Sequence, residues 1–235
     1  MLKDLKQKVL KANLDLVKYG LVTLTWGNVS GINRKKGLVV IKPSGVDYNK
    51  MKSEDMVVVD LNGKVVEGKL KPSSDTPTHI ELYKSFKNIG GISHTHSEFA
   101  TIFAQACKEI QCLGTTHADN FNGTVPLTRF LTEEEVKDNY ELNTGKIIVE
   151  RFKNLDADTL PGVLVSGHAP FTWGKNPDDA VKNSLVLERV AKMAYISLQI
   201  NPSLSSLPAH ILKKHHLRKH GENAYYGQTK SGNKK

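Results

Sequence analysis

Apolar residues recur at helical spacing through residues 2–19, where Leu2, Leu5, Val9, Ala12 and Leu16 share one face and Gly20 supplies a stop. The pattern then changes. Residues 25–30 read as a turn and 37–42 as a strand running into a Pro-Ser-Gly turn. Two apolar runs, 56–60 and 64–67, flank Leu61-Asn62-Gly63, and Asn-Gly between such runs predicts a hairpin. Asp75 or Thr76 can cap a helix whose first position is Pro77 and whose stripe is Ile80, Tyr83 (or Leu82) and Phe86. The spacing predicts a strand over 89–96, a helix over 98–108 with Ser97 as cap, and a short strand over 110–116. Thr132 and Glu135 form a capping box for a short helix to Tyr140. Residues 146–150 and 162–166 read as strands. Asn176-Pro177-Asp178-Asp179 opens the longest helix, which ends before Asn201-Pro202. Helices and short strands mix irregularly, and the hairpin argues against a clean βαβ repeat. One α/β catalytic domain is expected over 1–228, with a basic, disordered tail over 229–235.

Composition narrows the function classes. A chain of 235 residues with 39% apolar content suits a single domain with a sizeable core. The formal charge of +9 suits anionic partners. No nucleic-acid fold signature accompanies it, so a small phosphorylated metabolite is the expected anion and nucleic acid is not. No apolar run reaches transmembrane length, and the charged amphipathic start is not a signal peptide, so no membrane partner and a cytoplasmic location are expected. Cys107 and Cys112 read as buried free thiols of a reducing compartment. Neither a dinucleotide-binding glycine fingerprint nor a Walker P-loop is present.

The chemistry-bearing residues cluster around Gly90-Gly91-Ile92-Ser93-His94-Thr95-His96. In a strand, His94 and His96 point to one face and can grip one ion. His168 follows another predicted strand. Three neutral imidazoles with an open position suit catalytic zinc, with Mn2+ or Co2+ as alternatives. Asp75 is either a helix cap or a carboxylate beside the metal, as ligand, partner or base. Lys42, Ser44 and Gly45, with Ser73 and Ser74, offer the small residues, hydroxyls and charge that cradle a phosphate, and Asn28 can add a donor. Asp119, in His117-Ala118-Asp119-Asn120, is either part of a surface loop or a proton-transfer carboxylate. Glu98 is helix-start material that could instead approach the metal. Tyr225 and Tyr226 follow a basic segment, and a tyrosine held close can pass a proton to an alkoxide. Trp26 and Trp173 are expected to pack at loop bases.

Several longer motifs add to these residues. They are Thr25-Trp26-Gly27-Asn28-Val29-Ser30, Ile41-Lys42-Pro43-Ser44-Gly45-Val46, Lys71-Pro72-Ser73-Ser74-Asp75-Thr76-Pro77, Thr116-His117-Ala118-Asp119, Trp173-Gly174-Lys175-Asn176 and Ala224-Tyr225-Tyr226-Gly227-Gln228. With the histidine motifs they cover almost the whole chain, which resembles the class II aldolase/adducin-type superfamily and, within it, the L-ribulose-5-phosphate 4-epimerases. The resemblance implies a three-layer α/β/α subunit with a largely antiparallel central sheet, a C4 homotetramer and active sites between subunits. It implies His94, His96 and His168 as zinc ligands with Asp75 close to the metal. It also implies Asn28, Lys42, Ser44, Gly45, Ser73 and Ser74 as the phosphate set, and Asp119 and Tyr226 as an acid/base pair from the adjacent subunit. In the related fuculose- and rhamnulose-phosphate aldolases the position of Asp75 is typically a glutamate acting as base, so aspartate points to the epimerase branch. Two departures stand out. Ser166-Gly167 precedes His168 where epimerases often have His-Ser, and Asn120 and Asn122 stand where aromatics often occur. The implied reaction is retro-aldol and re-aldol interconversion of L-ribulose 5-phosphate and D-xylulose 5-phosphate. A sugar-phosphate aldolase or a non-enzymatic adducin-like binding module are the alternatives.

Overall fold

The structure is a computed structural model and describes residues 2–226. Its elements in order are α1 (Lys3–Lys18), β1 (Asn28–Asn33), β2 (Leu38–Ile41), β3 (Val57–Asp60), β4 (Val65–Glu67), α2 (Thr76–Ser85) and β5 (Gly91–His94). There follow α3 (Glu98–Gln105), α4 (Thr115–Ala118), α5 (Glu133–Arg151), β6 (Gly162–Leu164), β7 (Pro170–Gly174), α6 (Pro177–Ile200) and α7 (Ala209–His220). The seven strands form one sheet in the order β4-β3-β2-β1-β5-β7-β6, with every neighbouring pair antiparallel.

Alternation along the strands sorts the core into two layers. Val39, Val57, Val59 and Ile92 face Ile80, Tyr83 and Ile147 of α2 and α5. Leu38, Val40 and Val58 face Val9 of α1 and Leu2 at its start. Helix α6 covers the α1 side, where Ser184 donates to Ser93 Oγ at 2.9 Å. The expected three-layer arrangement around an antiparallel sheet is therefore what forms. Gly91 makes the centre possible: a Cβ there would lie 2.4 Å from the backbone of Asn176 and Pro177. The glycine lets β5 pass directly under the start of α6. Among the described residues no helix is long and apolar enough to cross a membrane.

Several local expectations need correction. Residues 146–150 are not a strand but the end of α5. The buried positions Thr144, Ile147 and Ile148 have helical spacing, and the apolar stripe is hidden because Asn143, Thr144 and Gly145 complete it. Residues 28–30 are not a turn but the start of the central strand β1, buried on both faces and so without alternation. Asn13 of α1 clamps it, donating to Val29 O at 3.1 Å and accepting from Val29 N at 2.9 Å. The 110–116 strand reduces to a single bridge, Ile110 with Val125, before α4 begins. Strand β5 stops at His94, so His96 lies just beyond it. Cys112 is buried but Cys107 is exposed, in the turn after α3. The expected tail over 229–235 lies outside the described residues.

Candidate active site

The register of the two central strands places Asn28 opposite His94. His168 sits in the turn between β6 and β7, where its N–H donates to Val165 O at 3.0 Å. Because β7 pairs with β5, that turn delivers the imidazole beside His94. His96 comes from the segment leaving β5. The candidate ligand nitrogens of His94, His96 and His168 all lie within 4.8 Å of one another. The His94 ring stacks on Phe171, centroids 4.2 Å apart, and its Nδ1 stands 3.0 Å from Pro170 O. An Nδ1–H donated there leaves Nε2 free to face an ion.

Burial is the main cause that lowers the basicity of all three rings. The Asp75 carboxylate opposes it in part at each, and His168 falls to about 4. Neutral, convergent imidazoles are the form that ligates a cation. The donor set therefore fits a divalent metal of the zinc type.

Asp75 stands at the N-cap position of α2 yet makes no capping hydrogen bond. Its Oδ2 instead accepts from Asn28 Nδ2 at 2.6 Å. Burial resists its charge, but the His94 and His79 imidazoles and the Asn28 amide outweigh that and hold the carboxyl below its ordinary range. Asn28 therefore commits a donor to Asp75, and its Oδ1 is buried without a partner.

The two loops with phosphate-cradle chemistry are zipped together. Ser44 N–H donates to Lys71 O and Ser73 N–H to Lys42 O, each at 2.9 Å, and Pro43 bridges to Pro72. Lys42 is buried, with Nζ 4.8 Å above the Tyr48 ring. Lys42, Ser44, Gly45, Ser73, Ser74, Asn28, Asp75 and the three histidines line one cleft of about 610 Å³.

Asp119 and Tyr226 do not line that cleft. They meet each other's neighbourhood at the α4–α7 junction. Asp119 accepts from Arg218 Nε at 2.9 Å and Nη2 at 2.6 Å, and stands 3.1 Å from His215 Nδ1. The Tyr226 ring packs under Arg218 and Lys219, with the cationic groups 4.9 and 4.6 Å from its centroid. Burial opposes ionisation of Asp119, but the Arg218 and His215 hydrogen bonds and the Lys219 charge outweigh it and lower its pKa. Glu98 does not reach the cleft.

Three cleft residues escaped the reading of single motifs. Trp26 is not a loop-base residue: it is half exposed in the cleft, its ring 6.3 Å from that of His96. Tyr140 and Glu141 enter from α5 at a break in the helix. The capping box at Thr132 and the polar run to Tyr140 were the available signal, since the predicted helix end falls beside that break.

Comparison with known proteins agrees with this geometry. A structure of an L-fuculose 1-phosphate aldolase is 27% identical and superposes with a TM-score of 0.76, covering 90% of this chain and 94% of that one. YgbL from Klebsiella pneumoniae, at 20% identity and a TM-score of 0.74, covers 92% and 100%. The L-fuculose-1-phosphate aldolase of Thermus thermophilus, at 22% and 0.65, covers 86% and 98%. The last two share the fold. Residues 7–195 match the model of the class II aldolase and adducin N-terminal domain, and with the histidine cluster and two serine-bearing loops lining one cleft, the chain belongs to that family.

Proposed function

We propose that this chain is a metal-dependent enzyme that opens and re-forms the C3–C4 bond of a ketopentose phosphate, interconverting L-ribulose 5-phosphate and D-xylulose 5-phosphate. The observation that carries the reading is the shared cleft: a convergent histidine triad, and among serine-rich loops a buried lysine that makes no ion pair among the described residues. A divalent cation held by His94, His96 and His168 would supply the Lewis acid for charge released when the bond opens.

The chain's own residues set the rest. Lys42, Ser44, Gly45, Ser73 and Ser74 bind the phosphate and so anchor the aldehyde fragment while it turns its other face. Asp75 is a carboxylate beside the metal site, held in place by the Asn28 amide at 2.6 Å. Proton transfer then falls to Asp119 and Tyr226, one for each face of the aldehyde. Both lie away from the triad of their own chain, which fits a C4 homotetramer in which they serve the neighbouring subunit's cleft.

The 27% identical structure favours a second reading, cleavage of L-fuculose 1-phosphate. Offering both sugar phosphates separately decides between them. Epimerised pentulose phosphate without release of free aldehyde supports the first reading. Dihydroxyacetone phosphate released from L-fuculose 1-phosphate, with no epimerisation of the pentulose, overturns it.

A further inference from the structure

Helix α5 is broken at Asn139, whose backbone is extended (φ −159°, ψ 89°) within otherwise helical chain. The break is held on all sides. Asn139 Oδ1 accepts from Leu142 N–H at 3.2 Å and so caps the second half. Asn143 Nδ2 reaches back across the break to Glu135 O at 2.8 Å. Thr78 Oγ1 of α2 donates to Glu141 O at 2.5 Å. Gly145 lets the two helices close on each other, since a Cβ there would lie 2.7 Å from Glu81 Cβ. Tyr140 directly follows the break, and its carbonyl accepts from Thr144 Oγ1 at 2.8 Å. Its ring lies 6.2 Å from that of His168, centroid to centroid, and its hydroxyl stands 3.4 Å from His168 Nδ1.

We propose that Tyr140 is a positioning residue for the metal, accepting the Nδ1–H of His168 and thereby leaving Nε2 for the cation. The proposal rests on the triad being the metal site. It follows from an asymmetry between the ligands. A main-chain carbonyl orients His94 through its Nδ1. The group standing at the same atom of His168 is a side chain on another element. Outer partners of this kind fix the tautomer and ring angle of a ligating histidine. Through Thr78, the segment bearing Tyr140 is also tied to α2, the helix that Asp75 opens. The kink in α5 thus carries Tyr140 to His168.

The test is a zinc titration of metal-stripped protein against a chromophoric chelator, with the visible spectrum of the Co2+ form alongside. It compares the unaltered chain, Tyr140→Phe and His168→Ala. Tyr140→Phe should weaken zinc binding about tenfold or more and shift the Co2+ bands, with the metal-free Tm unchanged. Zinc affinity and Co2+ spectrum equal to those of the unaltered chain would overturn the role of Tyr140. Equal affinity in His168→Ala and the unaltered chain would instead overturn the triad itself. Should Tyr140→Phe fail to fold, Asn143→Ala carries the same test, since it releases the latch across the break and leaves the tyrosine in place. It too should weaken zinc binding, and unchanged affinity would contradict the proposal.

Discussion

Lys42 shows how much a single side chain can say about a ligand. It is 2% exposed, its Nζ lies 3.3 Å from Pro43 O and over the Tyr48 ring, and among the described residues it makes no ion pair. Burial lowers its pKa, with Asp47 partly opposing. A buried ammonium without a counterion costs stability, and a protein keeps one where an anion will meet it. Lys42→Met should therefore raise KM for the phosphorylated sugar by about tenfold or more, equivalent to about 1.4 kcal/mol. It should leave metal content and Tm undiminished. Steady-state kinetics with a parallel metal assay checks this, and an unchanged KM would remove Lys42 from the phosphate set. Residue types alone made Lys42, Ser44, Ser73 and the three histidines legible, because each carries its chemistry in its side chain. The bond from Asn28 to Asp75 was not legible. It joins the first residue of β1 to the N-cap of α2, positions 47 apart in sequence that only the folded chain brings together.

Helices and strands set different limits on what sequence reveals. The hairpin β3–β4, the cap of α6 and the capping box of α5 all formed where turn and cap chemistry placed them. Elements without a conventional apolar stripe were missed. Strand β1 buries Asn28 and Ser30, the end of α5 buries Asn143 and Thr144, and α7 has His216 as its buried residue. In each, polar groups occupy core positions, so periodicity of apolar residues cannot report them. Gly145→Val should destabilise the chain by about 1–3 kcal/mol, since the new side chain must displace Glu81 and the backbone at Thr78. Denaturant unfolding measures it, and an unchanged midpoint would show that α2 and α5 can separate freely.

His117 is buried, its Nε2 2.8 Å from Gly123 O, and burial pushes its pKa from 6.5 down to about 4, the nearby carbonyl opposing in part. A histidine with a lowered folded pKa contributes stability in full above pH 6.5. That contribution fades as pH falls towards 4, because the unfolded chain takes up the proton first. Over this window the loss amounts to about 3 kcal/mol. His117→Asn should flatten the fall of stability between pH 6.5 and 4 relative to the unaltered chain. Parallel slopes in urea titrations at stepped pH would contradict it.

At the level of the whole molecule the residues proposed for the chemistry fall in two places. The triad and the Lys42–Gly45 and Ser73–Ser74 loops share one cleft, while Asp119 and Tyr226 gather around Arg218 at the α4–α7 junction. If Asp119 completes the cleft of a neighbour, two inactive variants should rescue each other. Asp119→Asn and Lys42→Met combined with His94→Ala, mixed by co-expression, should regain part of the activity that neither has alone. Mixed assemblies with no regained activity would return both functions to one chain.

The most direct test of the central claim is metal analysis coupled to turnover on L-ribulose 5-phosphate. The purified chain should carry one divalent ion per subunit, lose epimerisation on chelation and recover it when zinc, manganese or cobalt is restored, while His94→Ala neither holds the ion nor recovers. Epimerisation that persists after complete removal of the ion, or an ion retained undiminished in His94→Ala, would contradict a carbon–carbon bond opened at this triad.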